Sequence, residues 1–169
     1  MTALLLLALL VVLTVWLTVR AEATPPARAR VVNPSGARGT ALVVHHPGLS
    51  DFPGRVTDAL ARGLATQGWR VELATATPRA PAHPSRADLL VLVAPTYWWA
   101  PARPVVRWVD QAGDLRGTPT VVVVTAAGQS GRSRRVLEAR VRAAGGRLLA
   151  ARELYTWAPN DEAHYDASR

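Results

Sequence analysis

The longest apolar run stands near the start of the chain, where ALLLLALLVVLTVWLTV occupies residues 3–19 with two threonines as its only polar interruptions. As a helix rising about 1.5 Å per residue it nearly crosses a hydrocarbon core, so residues 3–19 are expected to form a single transmembrane anchor. A cleaved signal peptide is the rival reading, since Ala21, Glu22 and Ala23 offer small residues, but the run exceeds an ordinary signal core and no basic segment precedes it. Residues 20–39 are rich in Pro, Gly, Ala and Arg, carry no apolar period, and read as a flexible basic linker.

From residue 40 the pattern changes to one of alternating short apolar runs and helical stripes, and residues 40–169 read as one domain. TALVVHH (40–46) is a strand, followed by a turn and by a helix striped with Val56, Leu60 and Leu64 that ends at Gly68. Residues 70–74 form a short strand, and the three prolines within 75–85 leave no room for a full helix. Leu89 to Val93 is apolar on both faces, so helices must cover both sides of that strand. Tyr97, Trp98 and Trp99 follow between Pro95 and Pro101, in a segment where no core can enclose all three rings. Val105, Trp108, Val109 and Ala112 stripe a helix stopped by Gly113; PTVVVVT (119–125) is another two-faced strand; Leu137, Val141 and Ala144 stripe a helix closed by Gly145 and Gly146; and residues 147–154 form a last strand. Strands alternating with helices at this spacing imply an α/β fold with a doubly wound parallel sheet, whose ligands sit beyond the carboxyl ends of the strands.

Composition adds less. The 169 residues carry a formal charge of +8, all of it from arginine, with no lysine, isoleucine or cysteine. The missing cysteine removes disulfides, thiolate metal sites and thiol nucleophiles. The arginines are spread along the chain without interleaved aromatics, which argues against nucleic acid and in favour of an anionic membrane surface. Arg20, Arg28, Arg30 and Arg38 all follow the apolar run, so the positive-inside rule places the carboxyl-terminal domain in the cytoplasm of a single-pass protein.

The strand, loop and helix from Thr40, the strand that runs into Ala94-Pro95-Thr96-Tyr97-Trp98, and PTVVVVTAAGQSG from Pro119 resemble the flavodoxin family over residues 40–154. That resemblance implies a five-stranded parallel sheet in the order 2-1-3-4-5 and FMN bound by three loops. Thr96, Tyr97, Trp98 and Trp99 match the first flavin loop, with Trp98 or Tyr97 as the stacking ring, and Thr125, Gly128, Gln129 and Gly131 match the second. The phosphate loop departs from the family pattern of hydroxyls and amides at a helix start. Gly48-Leu49-Ser50-Asp51-Phe52-Pro53 stands there, so only Ser50 supplies a hydroxyl, Pro53 has no N–H, and Asp51 brings a negative charge. Two unit charges about 5 Å apart at an effective dielectric near 20 repel by roughly 3 kcal/mol, unless Arg55 turns back to offset the carboxylate. As an alternative role, Asp51 N-caps the helix. The family's closing helix is not expected here, where the residues given past Pro159 would allow one turn at most. Trp157 and Tyr165 are then candidates to cover an open sheet face or to meet a second copy of the chain.

His45 and His46 end the first strand, but adjacent strand residues point to opposite faces and no further ligand cluster accompanies them, so a metal site is not expected. Ser130 fails as a hydrolase nucleophile because Arg132 breaks the Gly-x-Ser-x-Gly elbow. The function expected is that of a membrane-tethered, FMN-binding electron carrier serving a redox partner protein or a quinone. The alternatives are a flavin-free module that binds other proteins, and an FMN-dependent oxidoreductase of the NAD(P)H-quinone reductase type.

Overall fold

In the computed structural model, residues 2–23, 29–77 and 87–156 are described. The elements in chain order are α1 (Thr2–Glu22), β1 (Arg30–Val32), β2 (Thr40–His45), α2 (Phe52–Thr66), β3 (Arg70–Thr75), β4 (Leu89–Tyr97), β5 (Ala100–Pro101), α3 (Arg103–Ala112), β6 (Pro119–Ala126), α4 (Gly131–Ala143) and β7 (Arg147–Tyr155).

Five parallel strands stand in the order β3-β2-β4-β6-β7. Numbered among themselves, these are 2-1-3-4-5. The sheet is nevertheless seven-stranded and mixed, because β1 pairs antiparallel with β3 at one edge and β5 pairs antiparallel with β4. Neither addition carries an apolar period long enough to be legible as a strand. Within the stretch read as a flexible linker, residues 30–32 thus form an edge strand, and side-chain contacts hold residues 30–38 in place. The Asn33 amide donates to Trp69 O at 3.0 Å, Arg38 lies over the Trp69 ring at 5.5 Å, and Arg30 pairs with Asp58.

Burial on both faces of the central strands follows from their lack of polar residues. Leu42, Val44, Leu90, Leu92, Val122 and Val124 pack against Val105, Trp108 and Val109 of α3 and Leu137 and Val141 of α4. Ala41, Val43, Val91, Val93 and Val123 pack beneath Val56 and Ala61 of α2. Helix stops fall where the glycines require them: Gly68, Gly113 and Gly145 all have positive φ. Residues 78–86 and the terminal segment with Trp157 and Tyr165 lie outside the described residues, and so do the expectations made for them.

α1 forms over the segment expected to be helical, but the transmembrane span expected of it is not found. Among the described residues no helix is long and apolar enough to cross a membrane. The physical reason is length: the 17 positions between Thr2 and Arg20 rise only about 26 Å, against a hydrocarbon core of about 30 Å.

Among the described residues Trp108 is the largest fully buried side chain, at 1 % exposure, and its Nε1–H finds no partner there. Trp108→Ala is expected to lower unfolding free energy by about 3–5 kcal/mol in urea titrations. Trp108→Phe, which deletes the unpaired donor along with some volume, should cost less than half as much. Equal losses would mean that the indole nitrogen has a partner after all.

Candidate functional site

β2, β4 and β6 end side by side, and their loops enclose two adjoining cavities at the carboxyl edge of the sheet. The first, of about 290 Å³, is lined by residues that include Leu49, Ser50, Pro53, Tyr97 and Thr125. The second, of about 310 Å³, is lined by residues that include Trp98, Trp99, Gly128 and Gln129. Thr96, Ala126 and Ala127 line both, so the two form one elongated cleft with a floor of small side chains.

Of the residues the sequence singled out, Ser50, Thr96, Tyr97 and Thr125 border the first cavity, while Trp98, Trp99, Gly128 and Gln129 border the second together with Thr96. Gly131 lines neither. It opens α4, and a Cβ there would face Arg135 and Glu153 instead. Phe52 and Pro95, from the same two loops but without a site role expected of them, and Thr156 also line the first cavity. Thr156 arrives from the end of β7, and no motif marks it.

Tyr97-Trp98-Trp99-Ala100 is a tight hairpin rather than an open loop. Tyr97 pairs with Ala100, and the two central residues have φ of 50° and 58°. Positive φ at both central positions is the geometry of a primed hairpin turn, ordinarily supplied by Asn-Gly. Two bulky tryptophans there strain the backbone by about 1–2 kcal/mol each. The rings meet edge to face, 6.4 Å between centroids at 65°, and are 53 % and 57 % exposed. Because they are not parallel, at most one can lie flat along a planar ligand.

Tyr97 turns the other way, toward the loop after β2. Gly48, at φ +76°, leaves room for it: a Cβ at that position would stand 3.3 Å from the Tyr97 hydroxyl and 3.1 Å from Pro53 Cγ. The hydroxyl is buried with the Leu49 backbone N–H directed at it, and Thr125 Oγ1 is buried without a partner among the described residues. Burial, partly opposed by the Leu49 amide and reinforced by the Glu22 charge, pushes the Tyr97 phenol up to about 12, so it remains a neutral donor.

Asp51 sits at the N-cap position of α2, yet its side chain makes no capping hydrogen bond, which corrects the capping role expected from the sequence. The carboxylate stands 75 % exposed, 3.4 Å from Arg55, and does not line the cleft. The charge expected to oppose a phosphate is thereby turned to solvent and paired. Pro53, in contrast, is buried in the cavity wall and supplies no N–H.

Polar bridges brace the cleft from behind. Thr96 Oγ1 donates to Ser133 Oγ at 3.0 Å, and the fully buried Ser130 donates to Glu153 at 2.8 Å. Arg134 Nε donates to the same carboxylate at 2.7 Å, and the Tyr155 hydroxyl bonds to it as well. Burial alone would raise the Glu153 carboxyl, but donors from Tyr155, Arg134 and Ser130 outweigh that effect and hold it below its ordinary range.

His46 is 1 % exposed, with Nδ1 accepting from Gly48 N at 3.2 Å; His45 lines a separate cavity of about 300 Å³ with Arg30, Thr57 and Asp58. Among the described residues no group of three or more His, Asp or Glu could hold a metal ion.

No family model matches the chain, and no curated protein sequence is similar to it. Solved structures share its architecture. An archaeal flavodoxin is 13 % identical and superposes with a TM-score of 0.61, covering 74 % of this chain and 89 % of its own. The flavodoxin of Megasphaera elsdenii is 14 % identical with a TM-score of 0.60, covering 72 % and 90 %. The NAD(P)H:quinone oxidoreductase of Methanothermobacter marburgensis is 18 % identical with a TM-score of 0.55, covering 75 % and 88 %. Identities this low establish the fold: the domain is a flavodoxin-like α/β sheet protein.

Two predictions follow from this geometry. Replacing the strained pair by Trp98→Asn with Trp99→Gly should raise stability in urea by about 1–3 kcal/mol; an unchanged or lower midpoint would mean that the rings pack more than they strain. Burial lowers both histidines below 6.5, with the His46 charge adding to the effect on His45 and Glu22 opposing it at His46. Neutral imidazole is therefore favoured in the fold, so their contribution is fully present above about pH 6.5 and is lost as pH falls below it. NMR titration should find both rings protonating below the ordinary histidine range, and a midpoint at or above 6.5 for either would contradict this.

Proposed function

We propose that the chain binds FMN in the cleft and passes electrons to or from a membrane-associated acceptor. The observation that carries the reading is the elongated cleft itself, with aromatic rings at one end and, at the other, the buried Tyr97 hydroxyl, free to donate, and Thr125 Oγ1, which has no partner among the described residues. Buried polar groups without partners are rare in native proteins and suit a ligand that satisfies them. Structural likeness to flavodoxins supports the choice of ligand.

In this reading one of the two tryptophans covers a face of the flavin, while Gly128, Gln129 and Thr96 meet its polar edge. Tyr97 and Thr125 donate to the ribityl and phosphate portion, with Ser50 beyond them. When bound, the flavin supplies the redox chemistry. The protein contributes stacking, fixed donors and a dry floor, and the Thr96–Ser133 and Ser130–Glu153 bridges keep both loops in register. The Tyr97 phenol, at about 12, keeps its proton throughout the working pH range.

Association with a membrane is proposed through α1. Leu4, Leu5, Leu6, Leu9 and Val12 are all more than 60 % exposed, and α1 is apolar on every side. Two of its hydroxyls bond within the helix: Thr14 Oγ1 donates to Leu10 O and Thr18 Oγ1 to Thr14 O, each at 2.9 Å. A helix that is apolar all round and pairs its Thr14 and Thr18 hydroxyls with its own backbone suits lipid, with the carboxyl-terminal domain on the cytoplasmic face.

Fluorescence of FMN titrated with the full chain in lipid nanodiscs tests the reading. Saturable quenching is expected. Trp98→Ala or Trp99→Ala, whichever removes the stacking ring, should weaken binding by about twofold to twelvefold. Asp51→Asn should change it by less than about fivefold, as befits an exposed pair. No quenching at millimolar FMN would defeat the reading and favour a flavin-free protein-binding module, which the prolyl residue in the cavity wall also supports. NADPH oxidation by the flavin-loaded chain would instead indicate a quinone reductase.

A further inference from the structure

The end of α1 is fastened beside the aromatic turn. Glu22 Oε1 accepts from Arg103 N at 3.0 Å, and Glu22 Oε2 stands 3.9 Å from Arg103 Nε. Arg103 opens α3, whose N-cap residue is Ala102, with no capping side chain of its own. Glu22 therefore serves as the cap, held at only 15 % side-chain exposure. Arg103 is separated from β5 by one residue, and β5 is the return strand of the Trp98–Trp99 hairpin. The Glu22 charge also reaches Tyr97, the first residue of that hairpin, and His46 just beyond β2. The apolar helix and the two exposed tryptophans thus belong to one region of the surface. Its cations are exposed: the Arg103 side chain is 72 % accessible, Arg107 lies one turn further along α3, and Arg20 stacks over Trp16 at 5.2 Å.

Tryptophan and arginine at the end of an apolar helix are the residues found in the interfacial layer of a bilayer, where an indole has one apolar side and one polar edge. We propose that the Trp98–Trp99 turn inserts into the headgroup layer of an anionic bilayer that receives α1, so that the cavity beside it opens onto lipid. The inference rests on α1 being lipid-embedded. It explains why two strained, half-exposed tryptophans occupy a turn that Asn-Gly would form without strain. It also restricts the redox acceptor to an amphiphile dissolved in the membrane, since a water-soluble protein could not approach that end of the cleft. Each arginine within reach of the headgroups would strengthen binding to anionic lipid by roughly fivefold.

The chain has no cysteine, so single probe positions can be introduced without background. Full-length Leu10→Cys, Trp99→Cys and Gln67→Cys would each carry an environment-sensitive fluorophore, in vesicles of phosphatidylcholine and phosphatidylglycerol with quenchers on the acyl chains. Gln67 caps the far end of α2 and serves as the aqueous reference. The label at 10 should be strongly quenched, the label at 99 blue-shifted and partly quenched, and the label at 67 unchanged. Quenching at 10 with an aqueous label at 99 would overturn the inference while leaving α1 in lipid. An aqueous label at both positions would remove the lipid reading of α1 and the inference with it. A shift at 99 that appears without vesicles and grows with protein concentration would assign the turn to a second copy of the chain and overturn the proposal.

Discussion

The two-faced burial of β4 is the constraint on which the rest depends. From Leu89 to Ala94 no residue exceeds 8 % exposure, and a strand with no polar side has only one stable setting, at the centre of a sheet with helices on both faces. That requirement places β2 and β6 as its neighbours, sets α2 against one face and α3 with α4 against the other, and leaves the strand only one place to meet solvent, its carboxyl end. There Pro95, Thr96 and Tyr97 leave the core, and the chain reverses through Trp98 and Trp99. The cleft lies where the sheet's own geometry opens it, at the mouth between β2, β4 and β6.

The chemistry of the cleft is divided between its ends. The aromatic end is made of strained backbone and exposed rings, features that cost stability and gain nothing from the core. The opposite end holds the buried hydroxyls of Tyr97 and Thr125, the latter without a partner among the described residues. Neither end stabilises the fold, and each suits a bound molecule, which is why the two are read together as one site. Behind them, the Ser130–Glu153–Arg134 bridges couple the loop after β6 to the edge strand β7, so the loop is anchored without an apolar core of its own.

Much of this was legible in the sequence because apolar periodicity is a direct consequence of burial. Leu89 to Val93, Val121 to Val124 and the stripe of Val105, Trp108 and Val109 each gave the right element in the right place. What escaped had no such period. β1 is three residues of an Arg-rich segment, held by Asn33 and Arg38 rather than by a hydrophobic face. The turn at Trp98 and Trp99 contradicts turn chemistry, so its sharpness could not be foreseen. Asp51 was expected at the mouth of the phosphate loop, and its solvent-facing pair with Arg55 depends on a rotamer that no sequence pattern specifies. The span of α1 was overestimated because an apolar run that falls about a turn short of a bilayer resembles one that reaches across it.

The central claim is that a flavin occupies this cleft and no other surface. The most direct measurement is a backbone and indole NMR titration of the full chain with FMN. Saturable shifts are expected at Gly128, Gln129, the Trp98 or Trp99 indole and Thr125, with little change at His45 and Asp58 around the separate cavity. Shifts confined to that other cavity, or none at all at concentrations where flavin is in large excess, would contradict it.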